Sequence, residues 1–304
     1  MASANFVFNN PAFQEQRPGL TPPPAQQPGA ATAQAAASHQ ATDAAVNAQL
    51  EGMFAAPPAS SVQTGRMTVE DTVFKTLALF AVLLVTAVVG WVWTLSPVSL
   101  ENPSPTMMPW IVGALGGFVL AMVVTFTSRK KVRPALIFAY AAFEGLFIGG
   151  ISAFFEFIWP GIVMQAALAT LAVVGVTLAL FASGKVRASA KATKVFMVAM
   201  IGYLVFSLLN VVLMWFGAFP AGMMFGMHSA PSPLFGLPWG VIIGALVVIM
   251  AAYSLVLDFD QVQQGVRNGA PRQYGWLGAF GIMVTVVWLY VEILRILAIL
   301  RGSD

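Results

Sequence analysis

The residues of this chain that can bind a cation or exchange a proton are few, and most of them sit inside apolar surroundings. Glu144, Glu156, Asp258, Asp260 and Glu292 are the carboxylates set in or beside long apolar stretches, with Arg295 three residues after Glu292. An ionised side chain in hydrocarbon costs about 3 kcal/mol or more, so such residues face a bundle interior or water and have partners. Glu144 lies ten residues after Pro134; at 1.5 Å per residue that is roughly 15 Å into a helix, near a bilayer midplane. Glu156 falls about three turns further on, beside Trp159, where it either reaches water at a helix end or lines a pore mouth. Glu292 and Arg295 are spaced to pair along one helix face, which lowers the cost of keeping both in a membrane. Asp258 and Asp260 point in different directions on a helix and lie close to its end, so solvation of one of them accounts for that one.

The elements that must position these side chains are seven apolar stretches, at roughly 73–96, 108–128, 134–158, 161–183, 195–218, 239–262 and 274–300. About 20 residues of helix cross about 30 Å of hydrocarbon, and each stretch is long enough. Composition agrees: 58% of the 304 residues are hydrophobic and 9% charged, with a mean hydropathy of +0.80. The expected fold is therefore an all-α, seven-helix polytopic membrane protein in contact with the lipid bilayer.

Basic residues are distributed unevenly between the loops. Arg129, Lys130, Lys131 and Arg133 follow span two, Lys185, Arg187, Lys191 and Lys194 follow span four, and Arg267 and Arg272 follow span six, while the loops after spans one, three and five carry none. By the positive-inside rule the N-terminus and the even-numbered loops are cytoplasmic and the C-terminus is outside. The same asymmetry explains the net charge of +3 without nucleic acid, which is not expected as a partner. Tryptophans at 91, 93, 110, 159, 215, 239 and 276 lie toward span ends and read as interfacial anchors. Gly113 with Gly117, and Gly145 with Gly149, have the four-residue spacing of close helix crossings. Ser207 and Asn210 share a face of span five and read as hydrogen-bonding contacts between helices.

Residues 1–66 differ in composition, with Ala, Pro and Gln dominant, and read as a disordered cytoplasmic tail ahead of a 67–304 transmembrane domain. Phe6, Phe8 and Phe13 around Asn9-Asn10-Pro11 read as aromatic residues of a flexible arm. No apolar run precedes Val73, so no cleavable signal is expected. Thr68 and Asp71 have the spacing of a capping box and mark a helix start.

Several chemistries are disfavoured. The absence of cysteine removes disulfides, thiolate metal sites and a cysteine nucleophile. The two histidines are His39, in the tail, and His228, in a loop, so an intramembrane Ser/His mechanism has no base at depth. Asp258 and Asp260 share one helix, unlike the paired aspartates of an intramembrane aspartyl protease, and His228 without nearby carboxylates is a poor metal ligand. No enzymatic activity, resident cofactor or bound metal is expected.

The run Phe143-Glu144-Gly145-Leu146-Phe147-Ile148-Gly149-Gly150, then Glu156-Phe157 with Pro160, then Leu257-Asp258-Phe259-Asp260-Gln261 with Gly269, then Leu289-Tyr290-Val291-Glu292 resembles the transmembrane Bax-inhibitor-motif family over residues 67 to 301. The Phe-rich, Asn-Pro-containing start resembles its actinobacterial branch. That resemblance implies a seven-helix bundle around a central last helix in the bacterial inner membrane. It also implies a pH-sensitive calcium leak gated by a hydrogen-bonded acid pair, here Asp258 and Glu292, with Glu144, Asp260, Arg295 and Glu156 as supporting or ion-path residues. A non-conducting regulator that binds a membrane quality-control protease or another membrane protein is the alternative it allows. In this chain the segment between the two acids is two to three turns longer than in the family. A symmetric hairpin turning near Gly269 puts Asp258 opposite the Gly281 region and Glu292 roughly 16 Å further along. The pair meets only if the loop is asymmetric or span seven begins late; otherwise Glu292 pairs with Arg295, and Asp258 turns to Asp260 or Arg267.

Overall fold

The computed structural model describes residues 65–129, 131–220, 223–233 and 236–302. The tail expected over residues 1–66 therefore lies almost wholly outside the described residues, as does Lys130. Among the described residues there are seven α-helices: α1 Val69–Leu95, α2 Met108–Ser128, α3 Pro134–Ile158, α4 Ile162–Ala182, α5 Ala190–Trp215, α6 Trp239–Arg267 and α7 Gly275–Gly302. All seven are long and apolar enough to cross a membrane. No β-strand occurs among the described residues, which hold two isolated bridges, Arg66 with Pro271 and Pro231 with Pro238.

Local chemistry sets the helix ends. Thr68 Oγ1 accepts from the Asp71 amide at 3.2 Å, so α1 begins at Val69, four residues before the apolar run. Ser189 Oγ accepts from the Ala192 amide at 3.2 Å and starts α5 five residues earlier than its apolar run does. The helix α6 continues past the apolar stretch to Arg267 because Gln261, Gln263 and Gln264 are good helix formers that satisfy themselves in water. It ends at Gly269, whose φ of 62° is the left-handed conformation that closes a helix, with its amide donating to Val266 O at 3.0 Å.

Glycines decide which helices approach closely. A Cβ at Gly150 would stand 2.6 Å from the Trp110 amide nitrogen, and one at Gly113 would stand 2.6 Å from Phe147 Cα, so α2 and α3 cross backbone to backbone. On the other face of α3, Cβ atoms at Gly145 and Gly149 would collide with the carbonyls of Leu83 and Ala87, while a Cβ at Gly90 would stand 2.7 Å from Leu146 O. Both four-residue glycine spacings thus form helix crossings, and α3 is held between α1 and α2.

The last helix is the centre of the bundle. It packs against α6, α1, α4 and α3, and 50% of its apolar window is buried, against 11% for α5. Two apolar clusters surround it. Leu79, Ile137, Tyr140, Leu277, Phe280 and Met283 belong to one, toward the start of α7. Ile151, Phe155, Ile162, Ala251, Leu289 and Leu294 belong to the other, toward its end. The tryptophans divide between two roles. Trp215 is 89% exposed, as an interfacial anchor would be, whereas Trp110 packs on Phe154 and Phe155, and Trp159 stacks on Phe155, so these two stiffen the end of α3.

Candidate functional site

Among the described acids Asp258 is the most deeply buried, with 0% of its surface exposed. It sits on α6 within the run Ser254, Leu255, Val256 and Leu257, all buried. Thr285 Oγ1 of α7 donates to its Oδ2 at 2.6 Å. Such a carboxyl is held in an apolar layer by hydrogen bonding, and ionising it there demands either water or a cation.

Glu292 occupies a different level of the same interface. Tyr203 OH of α5 donates to its Oε2 at 3.0 Å, Arg295 Nη2 pairs with its Oε1, and a Cβ at Gly244 of α6 would stand 3.2 Å from that Oε1. Thr285 and Glu292 are seven residues apart, about 10 Å along the helix axis. The two acids implied as a gate therefore have separate partners: Asp258 meets Thr285, and Glu292 meets Tyr203 and Arg295. The connection 268–274 is the reason, because it sets Asp258, near the end of α6, against the first half of α7.

The remaining acids are placed elsewhere. Glu156 accepts from the Gly161 amide at 2.6 Å and the Val163 amide at 3.0 Å, so both its oxygens cap the start of α4. Glu144 lies beside Tyr140 at the α2–α3 crossing, where its Oε2 would be 2.8 Å from a Cβ at Gly117. Tyr140 in turn packs edge-on against Phe280 of α7, with ring centroids 4.8 Å apart. Asp260 is half-buried and accepts from Gln264 Nε2 at 2.7 Å along its own helix.

Two polar clusters join residues that the sequence marked only singly, Asp71 as a helix-start residue and Asn210 as a contact between helices. At the start of α1, Asp71 pairs with Lys75 and accepts from Arg272 Nε at 3.1 Å and Nη2 at 2.9 Å, and Lys75 Nζ donates to Arg272 O at 2.7 Å. Lys75 is only 4% exposed, and its ammonium also lies 5.4 Å from the Trp276 ring. With Met67 N bonded to Ala270 O at 2.8 Å, this clasp ties the beginning of the bundle to the α6–α7 turn. The other cluster involves the α5–α6 connection. Asn210 Oδ1 accepts from the Met227 amide at 2.8 Å, and its Nδ2 donates to Phe225 O at 3.1 Å and contacts His228 Nδ1 at 3.3 Å. His228 is 3% exposed; burial first, then the nearby Arg295 charge, hold its pKa down at about 4.

A membrane bundle with a buried central helix and its acids on α6 and α7 is the arrangement that the sequence resemblance implied. The profile described as Bax inhibitor 1 like matches residues 10–302. The chain belongs to the Bax inhibitor 1 like family. No curated protein and no solved structure matches it. Within this family member, Thr285 and Tyr203 are the polar partners that the sequence did not single out. Both are uncharged residues in apolar helices, where a lone hydroxyl gives no periodic signal. The clasp Asp71, Lys75 and Arg272 spans about two hundred residues of sequence and becomes visible only when α1 meets the α6–α7 turn.

Proposed function

We propose that this Bax inhibitor 1 like membrane protein mediates a pH-dependent leak of cations, calcium foremost, with Asp258 as the proton-sensitive gate and Glu292 as a second station. The observation that carries this reading is the Asp258 carboxyl, fully buried at the α6–α7 interface on a neutral hydroxyl partner. With a proton on Asp258, the layer is uncharged and packed. Loss of the proton creates a charge that the apolar layer cannot solvate, and the packing of α6 against α7 yields to admit water. The carboxylate and hydroxyl oxygens then offered to the path suit a hard cation, which prefers oxygen ligands and pays heavily for dehydration without them. Glu292, two turns along α7, is occupied by Arg295 in the closed arrangement, so a passing cation competes with the guanidinium for it.

This departs from a gate made of one shared proton between two touching carboxyls. Here the acids act in series. Glu144, at the α2–α3 crossing, lies beside the route, and Glu156 serves the fold by capping α4. The protein resides in a bacterial inner membrane with the Arg129–Arg133, Lys185–Lys194 and Arg267–Arg272 loops in the cytoplasm, a placement supported by the absence of Lys and Arg from the other three loops. A cysteine at Ser183 then labels from the cytoplasm and one at Leu100, a fully exposed loop residue, labels from outside; labelling of both from one side contradicts the orientation.

Calcium flux into proteoliposomes separates this reading from that of a non-conducting regulator. Purified protein lacking residues 2–60 retains flux close to that of the full chain if the bundle conducts. Flux indistinguishable from empty liposomes for both proteins, in folded form and at every pH from 5 to 8, contradicts the leak.

A further inference from the structure

Two buried polar atoms toward one end of the bundle have no hydrogen-bond partner, His228 Nε2 in the 226–229 turn and Arg295 Nε on α7, and a third, Ser207 Oγ on α5, has only the adjoining Tyr203 hydroxyl. They belong to one neighbourhood. Arg295 lies over the Tyr203 ring at 5.9 Å, Tyr203 adjoins Ser207 one turn along α5, and Gly240 and Gly244, one turn apart on α6, stand against His228 and Glu292. Tyr203 and Arg295 are also the two residues that hold Glu292.

The hydrogen-bonding roles follow from the neighbours. The Met227 amide fixes Asn210 Oδ1 as an acceptor, so the other amide atom is nitrogen and donates. His228 Nδ1 faces that nitrogen at 3.3 Å, and the Phe225 carbonyl also bonds the ring, so both neighbours engage the Nδ1 side and Nε2 is left over. Arg295 Nε is a donor in any state, and His228 Nε2 takes a water in either tautomer. A buried donor left without an acceptor costs about 1–3 kcal/mol. Water meets such needs inside proteins, typically through about three bonds to otherwise unsatisfied groups.

The 226–229 turn is seated over this neighbourhood like a stopper. Asn210 holds Phe225 and Met227 by their backbone, and Phe206 packs edge-on against the His228 ring at 5.0 Å. The seat depends on two glycines. A Cβ at Gly240 of α6 would stand 2.6 Å from His228 O, and one at Gly226, whose φ is 57°, would stand 2.6 Å from Asn210 Oδ1.

We propose that Ser207, His228 and Arg295 line an internal water site that connects Glu292 to the solution on the side of the α5–α6 connection, with residues 226–229 as its stopper. The proposal rests on the leak reading only in giving the path a mouth. Water access is measured without any ion flux, so failure of one is distinguishable from failure of the other.

The natural chain has no cysteine, so a single Ser207→Cys substitution places one reporter thiol in the site. The probe is methanethiosulfonate ethylsulfonate, a small membrane-impermeant anion, applied to proteoliposomes from each side. Leu204→Cys is the control, since Leu204 is 63% exposed on the outer surface of α5 and faces lipid. Expected is slow modification of Ser207→Cys, from the side of the α5–α6 connection, that accelerates at least tenfold when combined with His228→Ala. Gly240→Ala, which displaces His228 without removing it, accelerates it too, and serves if His228→Ala lowers the folded yield. Leu204→Cys stays unmodified throughout. A Ser207→Cys rate no different from that of Leu204→Cys in all three backgrounds overturns the water site. Equally rapid modification in the parent and in both variants overturns the stopper.

Discussion

Thr285 Oγ1 gives its hydrogen to Asp258 Oδ2 across 2.6 Å, so the central helix presents an uncharged hydroxyl to the buried acid of α6. A hydroxyl stabilises the carboxyl without competing for its proton. Replacing Thr285 by Val keeps the shape and deletes the bond, which costs about 1–3 kcal/mol where a buried acceptor loses its donor. Thermal unfolding in detergent registers this loss, and the pH midpoint of calcium flux moves with it, whereas Thr285→Ser restores both. A Thr285→Val protein with parental stability and an unmoved midpoint contradicts the coupling.

The pair Glu292 and Arg295 is the second test of burial. Glu292 is 3% exposed, and its side chain is anchored to Arg295 and Tyr203. Arg295→Leu leaves that carboxylate without its counter-ion, at a cost of about 3–5 kcal/mol. The double variant Glu292→Gln with Arg295→Leu removes both charges and recovers most of the loss. Unfolding temperatures of the two single variants and the double variant in one detergent check this; additive losses contradict an ion pair.

Much of the fold was legible in the sequence, because a helix that must satisfy every backbone group in lipid announces itself by length and hydropathy. The helix starts at Thr68 and Ser189 are sequence-coded as well, although the apolar window alone misplaces α1 and α5 by four and five residues. The glycine spacings at 113/117 and 145/149 identified real crossings, but which helices meet through them depends on the arrangement in space. The site was less legible. The distance from Asp258 to Glu292 along the chain, together with a turn at Gly269, indicated that a symmetric hairpin separates the two acids, and Glu292 does pair with Arg295. That Asp258 meets Thr285 depends on side-chain direction at the α6–α7 contact. His228, read from sequence as a loop histidine, proves buried because Asn210 pulls the turn down onto the bundle.

His228 makes stability depend on pH in a defined window. Its pKa is about 4 when folded against an ordinary value of 6.5, so the unfolded chain takes up the proton first as pH falls. The folded state therefore keeps its full stability above about 6.5 and loses this contribution progressively between there and about 4. In a His228→Phe protein that loss is absent. Between pH 7.5 and pH 5 the parent's melting temperature drops further than that of His228→Phe, by on the order of 3 °C. Parallel drops contradict the assignment.

Asp258 carries the central claim, and Asp258→Asn tests it most directly, since the amide keeps the volume and the hydrogen bond but cannot ionise. The decisive measurement is calcium flux across proteoliposome membranes from pH 5 to pH 8 for the parent and for Asp258→Asn protein of matched thermal stability. The parent's flux rises with pH, and the variant's flux is flat across the series. A variant that is folded and reproduces the parent's pH profile contradicts the gate.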